Sequence, residues 1–198
     1  MPIEVVSYLL ASKDVRKRLQ FQLVLQCAPF LKGIKKASIT NIERDDLKEL
    51  WALLAGTGIM FRVLAVLRGK YLVFFYRRRE MQSYLGRPKV QAFLKDYGYE
   101  SGKFEEILEH LALRVRQHSI EEQNFPHEIG VFLDYPLDDV ASFIQQEGKH
   151  SLFTGYWKVY HNPKQAHMTF LAYDKAKDSA VNEFLMGRPL RDIASGSV

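Results

Sequence analysis

The sequence predicts an α+β protein, predominantly helical, with a small antiparallel sheet. Most of the chain carries apolar residues at helical spacing, most clearly at Phe104, Ile107, Leu108, Leu111 and Val115. Two segments, FRVLAVL and YLVFFY, are instead rich in β-branched and aromatic residues and are joined by the short link RGK. This change of pattern predicts a β-hairpin over residues 59–76.

The N-terminal elements are predicted from capping and breaking residues. Ser12 and Asp14 can cap a helix that runs to about Leu25. The segment CAPFLKGIKKASI (27–39) follows, and its Pro29 and Gly33 are expected to break that helix. DDLKELWALLAG then has leucines and a tryptophan at helical spacing and stops at a glycine.

The second half alternates helices with one more strand. GRPKVQAFLKDYG and SGKFEEILEHLALRVRQH are predicted helices, and the second has glutamates early and arginines late, as the helix dipole favours. A strand is expected near 155–161 in TGYWKVYHNP, with Tyr156, Lys158 and Tyr160 on one face and Trp157 and Val159 on the other, and a helix that starts at Pro163 follows it. We therefore expect one α+β domain over 1–185 and a disordered tail over 186–198.

Length and composition indicate a soluble globular protein. The chain has 198 residues and one cysteine, so it forms no intrachain disulfide, which suits a reducing cytoplasm. The N-terminus has no basic leader before its short apolar run, so it does not resemble a signal peptide. The most apolar segment carries Arg62, Arg68 and Lys70, which argues against a membrane span. We predict a cytoplasmic location and no contact with a membrane.

Charge is unevenly distributed along the chain. Residues 1–99 carry a formal charge of +10 and residues 100–198 carry −5. A basic half attracts phosphate, nucleic acid or an acidic partner, or it faces the acidic half across an internal interface. We favour the internal interface, because no basic stripe alternates with aromatic residues that bases would stack on. YRRRE (76–80) is interpreted as a solvated exit from the hairpin, with anion or protein docking as the alternative.

The segment NFPHEIGVFLDYPLDDVASFI (124–144) raises the question of chemistry at His127-Glu128. Consecutive helical residues point about 100° apart, so the two side chains do not easily meet one substrate atom. Position 131 is valine, so the motif H-E-x-x-H is absent and we predict no metal site. Helix initiation by Pro126 and Glu128 explains the pattern, and a ligand-binding or catalytic role for His127 is the alternative.

The same segment resembles a helix-turn-helix, with a turn at Tyr135-Pro136. Its second helix would begin with Asp138 and Asp139, where phosphates approach. Carboxylates there oppose binding to a polyanion, so we predict that nucleic acid is not the partner.

Other candidates for chemistry are Cys27 and the strand GYWKVY. Cys27 lies near a predicted helix C-terminus, which raises a thiol pKa, although nearby lysines oppose this. A structural thiol is the simpler interpretation and a nucleophile the alternative. Lys158, between Tyr156 and Tyr160, belongs to a solvated face or contacts an anion or a flavin phosphate. No phosphate-binding glycine loop is present, so no cofactor is assigned.

FPHEIGVFLDYPLDDVASFI and GYWKVYHNPKQA together resemble an uncharacterised bacterial family, found chiefly in anaerobic Firmicutes and catalogued as domain of unknown function 3793. CAPFLKGIKKASI is similar to that family's cysteine-alanine-proline segment, and the likeness spans about residues 20–175. The family more often has glycine where this chain has Asp134, which weakens the prediction of a tight turn there. The resemblance brings no activity or catalytic residue, but it implies a link to iron or flavodoxin-type redox physiology.

Three functions follow as hypotheses. The first is a binding or accessory protein that contacts an acidic redox partner through the basic half, since flavodoxins are acidic. The second is an enzyme with a small-molecule pocket between FPHEIG and GYWKVY, using His127, Glu128 or Cys27 for catalysis and Lys158, Tyr156 or Tyr160 for binding. The third, a DNA-binding regulator, is disfavoured by the acidic second helix.

Overall fold

A three-stranded antiparallel sheet forms the centre of the fold, described by a computed structural model over residues 1–100, 102–121 and 125–194. Its strands are β1 (Ala37–Glu43), β2 (Met60–Leu67) and β3 (Lys70–Tyr76), in the order β1-β3-β2. The hairpin predicted over 59–76 is confirmed as β2–β3, with Leu67 opposite Lys70 beside the turn. Strand β1 was not predicted, because ASITNIE lies partly in the segment assigned to a helix break.

Helices surround this sheet, and the predicted α+β class is confirmed. The described helices are α1 (Ile3–Leu10), α2 (Val15–Leu31), α3 (Leu47–Leu54), α4 (Arg78–Leu85), α5 (Pro88–Lys95), α6 (Phe104–Glu121), α7 (Ile129–Phe132), α8 (Leu137–Gln145), α9 (Pro163–Leu185) and α10 (Leu190–Ala194). A short 3-10 turn, Arg44–Asp46, leads into α3. Within the described part of the chain, no helix combines the length and the apolar character needed to cross a membrane.

The two faces of the sheet cover two different cores. Ile42, Val73 and Phe75 pack with helices α1, α2, α3 and α10 and with part of α9. Phe74 and Tyr76 point to the other side, where they pack with helices α4 to α8. This division follows from the alternation of side chains along a strand. A third, smaller cluster joins α9 to the segment around Trp157.

Helix α2 is longer than predicted. Asp14 caps it, since Asp14 Oδ1 accepts a hydrogen bond from the backbone N–H of Lys17 at 3.0 Å. The expected break at Pro29 does not occur, and the helix ends at Leu31. A proline inside a helix costs a hydrogen bond, but here burial of the surrounding residues, from Cys27 to Leu31, stabilises the last turn.

Arg77 closes the C-terminal ends of two helices. Its guanidinium donates to the carbonyl oxygens of Phe30 at 2.8 Å, Leu31 at 3.2 Å and Ala194 at 3.1 Å. Such carbonyls have no partner within their own helix, so a cation beside them is favourable. The interpretation of YRRRE as a solvated strand exit is therefore wrong for Arg77, and α4 starts at the next residue.

The strand predicted near 155–161 is instead a separate two-stranded hairpin. Its strands are β4 (Phe153–Thr154) and β5 (Lys158–Val159), and they do not join the main sheet. The predicted division of faces is observed, because Trp157 and Val159 are buried while Tyr156, Lys158 and Tyr160 are less covered. The hairpin packs on α9 through Phe170, and Gly155 is required there since a Cβ would lie 2.1 Å from that ring.

The predicted disordered tail contains a helix. Leu190 and Ile193 of α10 are buried in the core that covers the N-terminal helices. The last part of that predicted tail, 195–198, lies outside the described residues. The domain boundary at 185 stays a prediction.

Several ion pairs join the basic half of the chain to the acidic half. Lys32 contacts Glu183 at 2.5 Å and Lys36 contacts Asp134 at 2.6 Å. Two further pairs join Arg62 to Glu109 and Arg78 to Glu105. The favoured interpretation of the charge asymmetry, an internal interface, agrees with these contacts.

Candidate ligand-binding site

A largely apolar cavity of about 420 Å³ lies between the main sheet, residues 125–143 and the β4–β5 hairpin. The sheet contributes Ile39, Leu67 and Leu72. The wall opposite is formed by Phe125, Ile129, Leu133, Tyr135, Val140 and Phe143. Trp157 and Lys158 close one side. The cavity thus occupies the place where the sequence suggested a pocket, between FPHEIG and GYWKVY.

Close packing of α7 against α8 shapes one wall. A Cβ at Gly130 would lie 2.9 Å from Cγ2 of Val140 and 3.2 Å from Cδ2 of Tyr135, so only glycine allows this approach. The chain reverses at Asp134, which has φ +61°. Asp134 accepts hydrogen bonds from the backbone N–H of Lys36 at 3.1 Å and from its Nζ at 2.6 Å. The tight turn is therefore present, and these bonds stabilise an aspartate in the left-handed region.

Asp139 holds the hairpin wall in place. Asp139 is 2% exposed, and its carboxylate accepts three hydrogen bonds from the hairpin segment. Oδ2 accepts from Nε1 of Trp157 at 2.7 Å, and Oδ1 accepts from the backbone N–H groups of Tyr160 at 3.0 Å and His161 at 2.8 Å. Burial of a carboxylate is costly without such donors, so the two quoted motifs are linked by a charge-assisted network. The sequence alone indicates for Asp139 only a repulsive effect on a polyanion.

Trp157 is the largest side chain of the hairpin wall. Its ring meets that of Phe170 edge-on at 4.5 Å and lies 5.6 Å from that of Tyr135. With Nε1 held by Asp139, the indole has little freedom to rotate. The wall is therefore formed before any ligand arrives.

His127 stands at the rim of the cavity between two phenylalanine rings. Its ring centroid is 5.2 Å from that of Phe125 and 4.9 Å from that of Phe143. Desolvation lowers the pKa of His127, although the charge of Glu128 opposes this. The imidazole is thus neutral at pH 7 and offers one donor and one acceptor.

Glu128 does not share the cavity with His127. Its side chain is 1% exposed, forms an ion pair with Nε of Arg114, and accepts from the hydroxyl of Tyr99 at 3.1 Å. Burial and the charge of Glu128 together raise the pKa of Tyr99. Glu128 therefore joins α6 to α7, and no cap hydrogen bond from its side chain starts α7.

The three binding candidates of GYWKVY have separate environments. Lys158 lines the cavity, donates from Nζ to the carbonyl of Gly148 at 2.7 Å, and lies 5.8 Å from the ring centroid of Phe143. Tyr156 faces α9 and donates to Asp174 at 2.8 Å. The hydroxyl of Tyr160 is buried without a hydrogen-bond partner among the described residues. Neither tyrosine lines the cavity.

Cys27 lies on the opposite side of the main sheet. It is buried in the core with the N-terminal helices, and burial raises the pKa of its thiol to about 11. The thiol is therefore protonated at neutral pH and does not meet the cavity. Of the catalytic candidates, the structure brings only His127 to the same cavity as Lys158.

The sequence did not predict which residues of the sheet line the cavity. Ile39 escaped notice because β1 was not predicted, although the alternation in ASITNIE is the signal that would have found it. Leu67 and Leu72 were assigned to strands but not to a site. No group of three or more histidine, cysteine, aspartate or glutamate side chains in the described ranges is arranged to hold a metal ion.

Helices α7 and α8 differ from the two helices of a DNA-binding helix-turn-helix. Helix α7 has four residues, and α8 presents Asp138 to solvent in its first turn while Asp139 is buried. An exposed carboxylate at that position repels phosphate. The prediction against a nucleic-acid partner remains a prediction, and this geometry agrees with it.

Comparison with known proteins identifies a family and no function. The family described as "Protein of unknown function (DUF3793)" matches residues 23–194. No curated protein and no solved structure matches the chain.

Proposed function

We propose that this chain, which belongs to the family described as Protein of unknown function (DUF3793), binds a small apolar molecule in the cavity beside Trp157. The observation that carries this proposal is the cavity itself. Its volume of about 420 Å³ falls within the range of roughly 300–1,000 Å³ typical of small-molecule sites. Its walls are aliphatic and aromatic, with few polar groups, as such sites require.

The hydrogen bonds and ion pair that anchor the cavity walls support a binding site rather than an accidental packing defect. Asp139 fixes the hairpin through three hydrogen bonds, and Glu128 fixes the start of α7 to α6. A site whose walls are held independently of the ligand loses little entropy on binding.

Binding is better supported than catalysis. The polar groups that line the cavity belong to His127, Asp139 and Lys158, with the hydroxyl of Tyr135 and the indole N–H of Trp157 beside them. The Asp139 oxygens already accept three hydrogen bonds, and Lys158 donates to a backbone carbonyl. His127 is left as the one group with the chemistry of a general base, and no nucleophile stands beside it in the described part of the cavity. A catalytic role for His127 stays a prediction.

A neutral apolar dye tests the proposal. N-phenyl-1-naphthylamine fluoresces strongly once it leaves water, so we expect a saturable rise in its fluorescence with one site per chain. Ile39→Trp adds an indole to the cavity wall and should abolish that signal. The matched control is Ile34→Trp, because Ile34 is exposed and lies outside the cavity.

Thermal unfolding followed by circular dichroism must show that both variants are folded. Weak, unsaturable fluorescence in the unaltered protein would refute the proposal. So would a folded Ile39→Trp variant that still binds the dye as well as the Ile34→Trp variant does.

A second candidate function is docking of an acidic redox protein, and it is supported by the charge of α4 and α5. Four exposed cations on these helices or in the link between them, Arg79, Arg87, Lys89 and Lys95, have no carboxylate partner among the described residues. Charge complementarity would favour encounter with an acidic surface such as that of a flavodoxin. The link to iron or redox physiology rests on the family resemblance.

Titration with a flavodoxin from the same genome tests this second candidate. We expect binding that weakens as ionic strength rises, since exposed charges are screened. Lys89→Glu should weaken it further, while Lys13→Glu, which changes an exposed lysine in the link between α1 and α2, should have a smaller effect. Salt-independent binding, or none to any such flavodoxin, would count against the candidate.

A further inference from the structure

The apolar cavity adjoins a polar groove. The groove has a volume of about 1090 Å³ and lies between α2, β1 and the turn that joins β2 to β3. Leu67, Leu72 and Phe125 line both the cavity and the groove. The cavity and the groove therefore adjoin at these three side chains.

The lining of the groove is polar and carries more positive than negative charge. Side-chain amides and a hydroxyl come from Gln22, Gln26, Asn41 and Thr40. The cations are Arg18, Arg68 and Lys70, against one carboxylate, Glu43. Arg18 is neutralised by Asp46 at 2.9 Å, and Lys70 contacts Glu43 at 2.6 Å.

Arg68 is the uncompensated cation of the groove. No carboxylate lies within ion-pair distance of it in the described ranges. It occupies the β2–β3 turn with φ +49°, directly after Leu67 of the shared wall. A positive charge thus stands next to the point where the apolar cavity meets the groove.

We propose that the ligand is a single-chain amphiphile, with its apolar chain in the cavity and an anionic head group in the groove beside Arg68. This inference rests on the proposed function. A fatty acid and a single-chain alkyl phosphate share this chemistry. The cavity lies toward the lower end of ligand-site volumes, which suits one chain rather than two.

A polar heterocycle fits the cavity less well. Such a ring needs several hydrogen-bond partners around its edge, since buried polar groups without partners are costly. Of the polar side chains that line the cavity, Asp139 already accepts three hydrogen bonds and Lys158 is bonded to Gly148, which leaves chiefly His127 and the hydroxyl of Tyr135 for a ligand. An aliphatic chain has no polar groups and needs no hydrogen-bond partners.

Three ligands with the same chain separate the contributions of chain and head group. We would titrate dodecanoate, dodecyl phosphate and dodecanol, each below its micelle concentration, into the Trp51→Phe protein. Trp157 is then the single tryptophan and lies in the cavity wall, so its fluorescence reports binding. We expect at least one anionic ligand to bind more tightly than dodecanol at low ionic strength. Added salt should remove that advantage. Preference between the two anions identifies the head group.

The variant Arg68→Asn tests the position of the head group. Asparagine tolerates the left-handed backbone of this turn and removes the charge. We expect it to weaken binding of the anionic ligand roughly two- to fivefold, as for an exposed ion pair, and to leave dodecanol binding unchanged. Lys89→Asn is the matched control, because it removes an exposed charge from α5, outside the groove.

The outcomes separate this inference from the proposed function. If all three ligands bind equally, or if Arg68→Asn weakens dodecanol as much as the anion, the inference is overturned while the apolar site is upheld. If no ligand changes the fluorescence of Trp157 and the neutral dye does not bind either, the proposed function fails and the inference fails with it. An anion-selective decrease with Arg68→Asn and none with Lys89→Asn supports both.

Discussion

Replacing Asp139 by asparagine tests whether one buried carboxylate holds the hairpin wall of the cavity. The carboxylate accepts from Nε1 of Trp157 through one oxygen and from two backbone N–H groups through the other. Asparagine has the same shape but a single oxygen. When that oxygen keeps the two backbone donors, the amide NH₂ faces the indole N–H, and two donors then oppose each other.

The expected cost follows from these contacts. Loss of a hydrogen bond to a charged group costs roughly 1.5–3 kcal/mol, and a buried donor left unpaired costs about 1–3 kcal/mol. The two effects overlap, so we expect Asp139→Asn to lower the free energy of unfolding by roughly 2–4 kcal/mol. Asp138→Asn is the matched control. Asp138 is exposed, so its change should stay within about 0.5 kcal/mol.

Urea unfolding of Trp51→Phe variants measures this difference. Trp51 is 66% exposed on α3 and would otherwise obscure the signal of Trp157, which is 9% exposed. We expect the midpoint for Asp139→Asn to fall with an unchanged slope. If the hairpin detaches locally instead, acrylamide should quench Trp157 more strongly in the native state of this variant.

A double-mutant cycle identifies the bond responsible. Trp157→Phe removes the opposing indole N–H, so Asp139→Asn should cost less in that background by about 1–2 kcal/mol, as followed by circular dichroism. If Asp139→Asn matches Asp138→Asn in both midpoint and quenching, the carboxylate does not hold the wall and the reasoning is wrong.

Three further predictions concern other parts of the molecule. Because burial raises the pKa of Cys27 to about 11, iodoacetamide at neutral pH should leave the folded protein unmodified and label it in urea; rapid labelling of folded protein would show an accessible thiolate. Glu128→Gln should lower the free energy of unfolding by roughly 1.5–3 kcal/mol in urea titrations, since it removes the charge of a buried carboxylate that is hydrogen-bonded to the partly exposed Arg114. Glu147→Gln, in an exposed pair, should change it by no more than about 0.5 kcal/mol, and equal effects would contradict this distinction. Desolvation lowers the folded-state pKa of His127 below 6.5, so the unfolded chain binds more protons there. This contribution to stability is fully present above the unfolded-state pKa of His127. It is lost as the pH falls through the folded-state pKa of His127. His127→Gln should reduce that loss, and an NMR titration midpoint for His127 above 6.5 would reverse the sign.

The sequence alone determined the elements whose signal is local. The spacing of leucines in α6, the change to β-branched and aromatic residues in β2 and β3, and the cap at Asp14 are properties of a few neighbouring residues. The burial of Trp157 and Val159 also followed from simple alternation. The position of a pocket between FPHEIG and GYWKVY was part of the enzyme hypothesis, and a cavity is found there.

Only the tertiary structure decided which polar residues face the cavity and which support its walls. Asp139, Glu128 and Arg77 satisfy partners that are distant along the chain, and no local pattern distinguishes them from solvated charges such as Asp138. Strand β1 and the last turn of α2 likewise form because long-range burial outweighs weak local preference. A carboxylate is placed in the interior by the donors that meet it there, and those donors come together only in the folded chain.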